Sequence, residues 1–420
     1  MTSFGRLVRD IASHGLLGLG DQLVFYQSHH HALFLDQSVS DALSGEAWAV
    51  RRQAAFEASY ALLSSLYADL GIDTPDNKLA LASELFSAMG NGSLTFQVTE
   101  EGGSARCEAL LHGAGFVERH GESVRNKRVL DAFAAGYCSA AATLAYPSES
   151  GHLEADEVAC VGRGEAACEI VLLRSSERPH FGAVLTRGAV EAIPGRLFDD
   201  KPSGEANGRG EVAARILAGL NADDRGVVRA FGVRLSLLPV MYTNQITFDT
   251  MHLVEKRTPE LFPVFCALVR EAAQMGAYHL LGGVLASPEW VREGGVIASD
   301  PAERLNQLIE ISRALGWGAF YAGEYVPGKV LSLRSPITHE SAYYAVRHGK
   351  SMRGRLAFQQ GTALALMQLI HRVDFAAPNA ISVPAYNALF RDGPRYHVEE
   401  TRSPLRGDEV SEVVVETISE

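Results

Sequence analysis

Four short blocks recur in the same order along this 420-residue chain, so the fold must be one that two like units can build. Arg52-Gln-Ala-Ala with Tyr60-Ala-Leu-Leu returns as Arg270-Glu-Ala-Ala with Tyr278-His-Leu-Leu. Glu84 to Gly92 returns as Glu310 to Gly318, and Ala132-Phe-Ala-Ala-Gly136 as Ala357-Phe-Gln-Gln-Gly361. The last block runs from His152 to Leu173 and again from Tyr396 to Val415. Superimposing Arg163-Gly-Glu165 on Arg406-Gly-Asp408 pairs Glu157 with Glu400, Cys160 with Ser403 and Cys168 with Ser411. The repeat offset drifts between roughly 220 and 240 residues, as expected of an old duplication.

A chain this long suits two domains better than one core, and 47% apolar residues supply material for both. The predicted boundaries are a first domain over residues 1–174, a linker over 175–224 and a second domain over 225–420. The middle of the linker, Asp199–Gly210, is rich in Asp, Lys, Pro, Ser and Gly and reads as flexible. Each copy reads as two helices, a strand pair, an Ala-rich helix and a closing strand. The helices are Glu46–Leu70 and Lys78–Met89, repeated as Phe262–Leu281 and Ala302–Leu315. The strand pairs are Ser93–Val98 with Cys107–Leu111, around Glu101-Gly-Gly103, and Ala319–Tyr325 with Lys329–Leu333. The Ala-rich helices are Val129–Leu144 and Arg353–Val373, and the closing strands are Glu165–Leu173 and Val410–Thr417. That order predicts an α+β fold: two tandem copies of a small antiparallel sheet packed by helices, forming a pseudo-dimer.

Charge excludes one function class. The net charge is −12 and the basic residues are scattered singly, so no stripe exists to neutralise phosphates and direct nucleic-acid binding is not expected. The longest apolar runs, such as Val264–Val269, are far short of a membrane span. Met1–Gln27 carries Gly and Asp inside its apolar stretch and reads as mature sequence, not as a signal peptide. Five cysteines, three of them between Cys138 and Cys168, fit a reduced cytoplasm and a metal site better than a disulfide framework.

Glu157 and Cys160 are close enough to be presented by one turn, Gly162-Arg-Gly164 allows a reversal, and Cys168 opens the next strand. Two thiolates and a carboxylate suit zinc, which takes four ligands in structural sites. The fourth ligand is Cys138 on the Ala-rich helix, or Asp131 seven positions earlier. Two buried thiols beside a glutamate would give the same pattern in isolation. The second copy decides for a metal, because Ala363, Ser403 and Ser411 replace all three cysteines together. One structural zinc per chain is therefore expected, in the first copy alone. His29-His30-His31 is flanked by apolar residues and reads as a turn or helix face. The Gly-x-Gly pairs lack a P-loop lysine and the third glycine of a dinucleotide fingerprint, and no nucleophile elbow is present, so no catalytic residue is assigned.

The stretch Gly136–Leu173 resembles the C-terminal signature of the 4-vinyl-reductase, or hydrocarbon-binding, domain family: a Gly-Tyr-x-Ser helix, E-x2-C, a glycine turn and a closing Cys. The resemblance covers most of the first copy, and the other copy resembles a degenerate member. It implies a small α+β domain that pairs two-fold and holds a cavity for an apolar or aromatic molecule. In phenol-sensing activators of this family a zinc held by the E-x2-C…C residues, here Glu157, Cys160 and Cys168, lies under the pocket. The fourth family thiol falls on Asp131, where this chain departs from the pattern and Cys138 is the compensating thiol.

These readings converge on a non-enzymatic, cytoplasmic sensor that binds an apolar small molecule or acyl chain and acts through a protein partner, with further homodimerisation possible. The expected pocket lies between the third helix and the sheet, lined by Phe96, Phe116, Phe133 and Tyr137, with Phe320, Tyr343, Tyr344 and Phe358 in the second copy. The alternatives are an accessory enzyme acting on a tetrapyrrole-like substrate, and a structural adaptor without a ligand.

Overall fold

The computed structural model of the chain describes residues 8–11, 15–121, 123, 124, 126, 128, 130–149, 151–177, 179–186, 188, 189 and 210–418. Residues 190–209 lie outside the described residues, and with them all but Gly210 of the stretch Asp199–Gly210 expected to be flexible. The first half runs β1 (Val8–Ile11), β2 (Leu16–Leu19), β3 (Gln22–Ser28), α1 (His29–Leu43), α2 (Ala47–Leu70) and α3 (Pro75–Ala88). It continues with β4 (Thr95–Thr99), β5 (Gly102–Cys107), α4 (Leu111–His120), α5 (Ala132–Ala145), β6 (His152–Ala159) and β7 (Cys168–Ser175). After α6 (Gly210–Ala218), the second half repeats the order: β8 (Val228–Ala230), β9 (Val233–Pro239), α7 (Val240–Arg257), α8 (Phe262–Ala286), α9 (Pro288–Arg292) and α10 (Pro301–Ala314). Then come β10 (Tyr321–Val326), β11 (Val330–Ser335), α11 (His339–His348), α12 (Ala357–His371), α13 (Val383–Asp392), β12 (Tyr396–Arg402) and β13 (Ser411–Thr417).

The fold is α+β with antiparallel sheets. Each half has a four-stranded sheet of the same order, β4-β5-β7-β6 and β10-β11-β13-β12. Local chemistry repeats as well. Thr74 caps α3 by accepting from the Asn77 amide, and Asp300 caps α10 by accepting from Glu303, with proline at the first helical position of each. The recurrence of Gly136 and Gly361 has a steric cause. A methyl on Gly136 would lie 2.5 Å from the Arg52 carbonyl oxygen, and one on Gly361 would lie 2.3 Å from that of Arg270. Helix α5 therefore packs on α2, and α12 on α8, at a distance only glycine permits.

The halves are joined by exchange. A third sheet, β1-β2-β3-β9-β8, draws strands from both. Strands β3 and β9 pair antiparallel with Tyr26 opposite Leu237, which is its own counterpart in the repeat, so a pseudo-two-fold axis passes through this pair. The hydrogen bonds obey the same symmetry. The Tyr26 amide donates to Leu315 O and the Leu237 amide to Met89 O; Gly318 N donates to Gly15 O and Gly92 N to Gly226 O. Each N-terminal hairpin thus packs on the other half, and α1 and α7 follow it, against α8 and α2 respectively. The duplication is a pseudo-dimer with swapped arms.

Several element expectations need correction. The second strand of the first hairpin is Gly102–Cys107, not Cys107–Leu111. Ala109, Leu110 and Leu111 are buried as the entry to α4, and a short apolar run does not reveal whether a strand or a helix buries it. Helices α1, α4, α7 and α11 extend the repeat beyond the four sequence blocks. Among the described residues no helix is long and apolar enough to cross a membrane.

Candidate metal centre

The turn before α5, the knuckle between β6 and β7, and the first turn of α4 converge on one buried point. Asp131, Glu157, Cys160 and Cys168 lie there, their donor atoms within 4.8 Å of one another and all four side chains buried. Asp131 Oδ2 is 3.5 Å from Cys168 Sγ and 3.9 Å from Cys160 Sγ. Tetrahedral bonds of roughly 2.0–2.3 Å need donor–donor edges of roughly 3.3–3.8 Å, so the group is slightly wider than a small divalent ion would draw it.

Each donor is held by its backbone surroundings. Asp131 accepts from the amides of His112 (2.9 Å) and Gly113 (3.0 Å) at the start of α4. Glu157 Oε2 accepts from the amides of Leu130 and Asp131 (2.9 and 3.0 Å), and its Oε1 is buried without a partner. Val161 N donates to Cys168 Sγ at 3.3 Å, and Cys160 N donates to Glu165 Oε2 at 3.1 Å, which fixes the knuckle. Gly113 completes the cradle, since a methyl there would meet Asp131 Oδ2 at 2.7 Å and both sulfurs at 3.2 Å. Burial, and after it Asp131 and Cys160, pushes the Glu157 carboxyl well above the usual carboxylate range. The hydrogen bond between the thiols pulls Cys160 below its usual range and pushes Cys168 above it. Two carboxylates and two thiols this close ionise together only around a cation.

The second half shows what the same scaffold does without the donors. Glu400 keeps its role, accepting from the amides of Arg355 and Leu356 at 2.9 Å, and its other oxygen also lacks a partner. The orphan oxygen alone therefore does not mark a metal site; the remaining donors do. Leu356 stands in place of Asp131, Ser403 Oγ accepts from Leu405 N, and Ser411 Oγ donates to Ser335 O. Ser341 occupies the place of Gly113, where a side chain is tolerated once the sulfurs are gone.

The structure groups Glu157, Cys160 and Cys168 with Asp131. Cys138 is not part of that group; it is fully buried in the core, its thiol pushed well up by burial and then by Cys107. Behind Asp131 lies a chain that sequence reasoning missed. His112 Nδ1 is 3.7 Å from Asp131 Oδ1, His112 Nε2 is 3.3 Å from Asp36 Oδ2, and Asp36 pairs with Arg51 at 3.3 Å. Burial opposes a charge on His112, but Asp36 and Asp131 outweigh it and hold its pKa above the ordinary imidazole value. These residues come from three helices and carry no motif, so no spacing in the sequence announces them.

Arg51 also lines a cleft of about 660 Å³ between α1, α2, α4 and the segment before α5. Of the expected pocket residues, Phe116 faces this cleft. Phe133 and Tyr137 instead fill the core beside Phe86; Phe133 also meets Tyr242, and the Tyr137 hydroxyl donates to Ala82 O. Phe96 is half-buried on β4. In the second half Phe320, Tyr343, Tyr344 and Phe358 are buried core residues, Phe358 packed on Trp317 and His339. The three consecutive histidines form the buried first turn of α1, with the rings of His29 and His30 tilted together at 4.0 Å and His30 stacked on His279 at 4.1 Å.

No family model matches the chain, and no curated protein matches it. A comparison of folds finds a likeness to a sensory domain. The solved structure is the phenol-responsive sensory domain of the transcription activator PoxR with phenol. It is 17% identical, with a TM-score of 0.33, over 40% of this chain and 85% of that one.

Proposed function

We propose that the chain is a non-enzymatic, cytoplasmic small-molecule sensor whose first half is braced by one structural zinc and which acts through a protein partner. One observation carries this reading. The cleft and the four-donor group share a wall, and Arg51, Asp36, His112 and Asp131 form an unbroken polar chain from one to the other. The two features also occur in the same half. Cleft-lining Arg51 corresponds to Val269 in the second copy, where the donors are missing too.

Asp131, Glu157, Cys160 and Cys168 would hold the ion. Four protein donors leave no open position, which makes the role structural. When bound, the metal ties the closing hairpin to the turn that starts α5, and its binding energy is then folding energy. His112 orients Asp131 from behind, as outer partners of metal ligands do. The apolar pocket expected between the third helix and the sheet is occupied by Phe86, Phe133 and Tyr137, so the cleft is the better ligand site.

The test is elemental analysis of freshly purified protein, followed by thermal shift and product analysis with phenols, fatty acids and porphyrin precursors. One zinc per chain and ligand shifts without turnover support the reading. Turnover would replace it with an enzyme, and no shift with any compound would favour a ligand-free adaptor.

A further inference from the structure

The cleft is a built site rather than a surface dimple. Its volume of about 660 Å³ falls in the range of small-molecule pockets. Arg51 reaches it while only 3% exposed. Its Nη1 is engaged by Asp36 and Ser40, and its Nη2 donates to Leu130 O at 3.1 Å. Its Nε is buried with no partner. That burial closes Nε to a ligand as well, so the guanidinium, held at both Nη atoms, meets the cleft as a fixed positive edge.

The rest of the wall narrows the ligand. Arg128 supplies a second guanidinium and is exposed. Trp48 and Phe116 supply aromatic surface, and Trp48 is fixed because its indole N–H donates to Asp156 Oδ1 at 3.0 Å. Gln37 and Asn126 add neutral hydrogen-bonding groups, and Asp41 is the one acidic residue on the wall among the described residues. Among the described residues the wall therefore offers two cations, one of them paired with Asp36, against one anion, together with two flat rings.

We propose that this cleft binds a small aromatic carboxylate. The acid group is taken by Arg128 beside the positive edge of Arg51, and the ring lies against Trp48 and Phe116. The proposal rests on the sensor reading and specifies the ligand class of the same site. It also specifies the polarity: Asp41 weakens an anionic ligand, whereas it would strengthen an amine.

The fluorescence of the chain itself supplies the readout. Trp290 and Trp317 are 1% and 2% exposed and do not line the cleft, so a bound ring that quenches tryptophan reports on Trp48. The full-length protein is titrated with benzoate, phenol, benzyl alcohol and benzylamine. Calorimetry with Trp48→Phe confirms that the lost signal comes from this site. Benzoate is expected to quench saturably and at least tenfold more tightly than the neutral or cationic analogues. Arg128→Gln, at an exposed side chain and therefore safe for folding, should weaken benzoate about tenfold, as loss of one charge-assisted contact does. Asp41→Asn should tighten it about threefold. Equal or tighter binding of phenol or benzylamine overturns the acid assignment and leaves the sensor reading standing. Benzoate binding that ignores both variants also overturns it. Failure of every aromatic compound, in fluorescence and calorimetry alike, overturns it too, and the sensor reading then rests on the fatty acids and porphyrin precursors.

Discussion

Replacing Gly113 with alanine tests the metal centre by adding a single methyl group. The new methyl would sit 2.7 Å from Asp131 Oδ2 and 3.2 Å from the sulfurs of Cys160 and Cys168. Two of these donors are fixed by backbone amides, so the methyl is accommodated only by spreading the donor set. Overpacking of this kind costs about 1–3 kcal/mol. Disturbing the support of a metal ligand typically lowers affinity about 10- to 100-fold. Gly115, one half-turn further along α4, is the control, since a methyl there meets nothing closer than 3.6 Å. Alanine at that position should stabilise the helix by about 0.5–1 kcal/mol through the usual glycine-to-alanine gain. The assay is zinc competition against a chromophoric chelator, paired with urea unfolding of both variants. Weak zinc binding by Gly113→Ala with normal binding by Gly115→Ala is the expected result. Equal zinc affinity in the two variants would refute the convergence of donors on this face of α4.

Further predictions follow from the same geometry. Cys160→Ser should lose the metal while Cys138→Ala keeps one per chain, read by elemental analysis; loss from Cys138→Ala would restore the thiol as a ligand. Gly136→Ala and Gly361→Ala should each lower the urea midpoint by an amount equivalent to about 2 kcal/mol, because the methyl must displace a helix backbone. Residues 225–420 expressed alone should dimerise in light scattering, with β9 pairing to a second β9 as it now pairs to β3; a stable monomer would contradict the swapped-arm fold. Burial, with smaller contributions from neighbouring charges, holds His29 at about 4 and His279 at about 3, below the ordinary 6.5. These groups fold neutral, so their contribution is complete above pH 6.5 and falls as pH drops toward 4, by about 2 kcal/mol per histidine at pH 5. Urea titrations from pH 8 to 4.5 should show that fall, and His279→Phe should flatten it.

The duplication was legible because it leaves paired strings of residues, and the structure gives those strings a physical cause. Gly136 and Gly361 recur because each carries a helix crossing, and Thr74 and Asp300 because each starts a helix. Glu157 and Glu400 recur because each carboxylate holds two amides of a turn. The thiols were legible because their partners in the second copy are serines. The N-terminal hairpin β2–β3 and α1 escaped notice: what repeats there is backbone pairing, which strands of different composition satisfy equally well.

Sequence alone determined that there are two like units, that their sheets are antiparallel, and that three metal-type donors sit together in one unit. Local spacing and internal comparison suffice for each of these. Only the tertiary structure chose Asp131 over Cys138, since both precede the motif and the choice depends on which helix position faces the knuckle. Only it exchanged the N-terminal arms across the pseudo-axis, because β3 could have closed a sheet within its own half and no residue code records that it did not. It also emptied the expected pocket of meaning by filling it with Phe133 and Tyr137, and opened a cleft at Arg51 instead. Apolar spacing tells a chain which residues to bury, whereas the space left between elements is fixed by how whole helices meet.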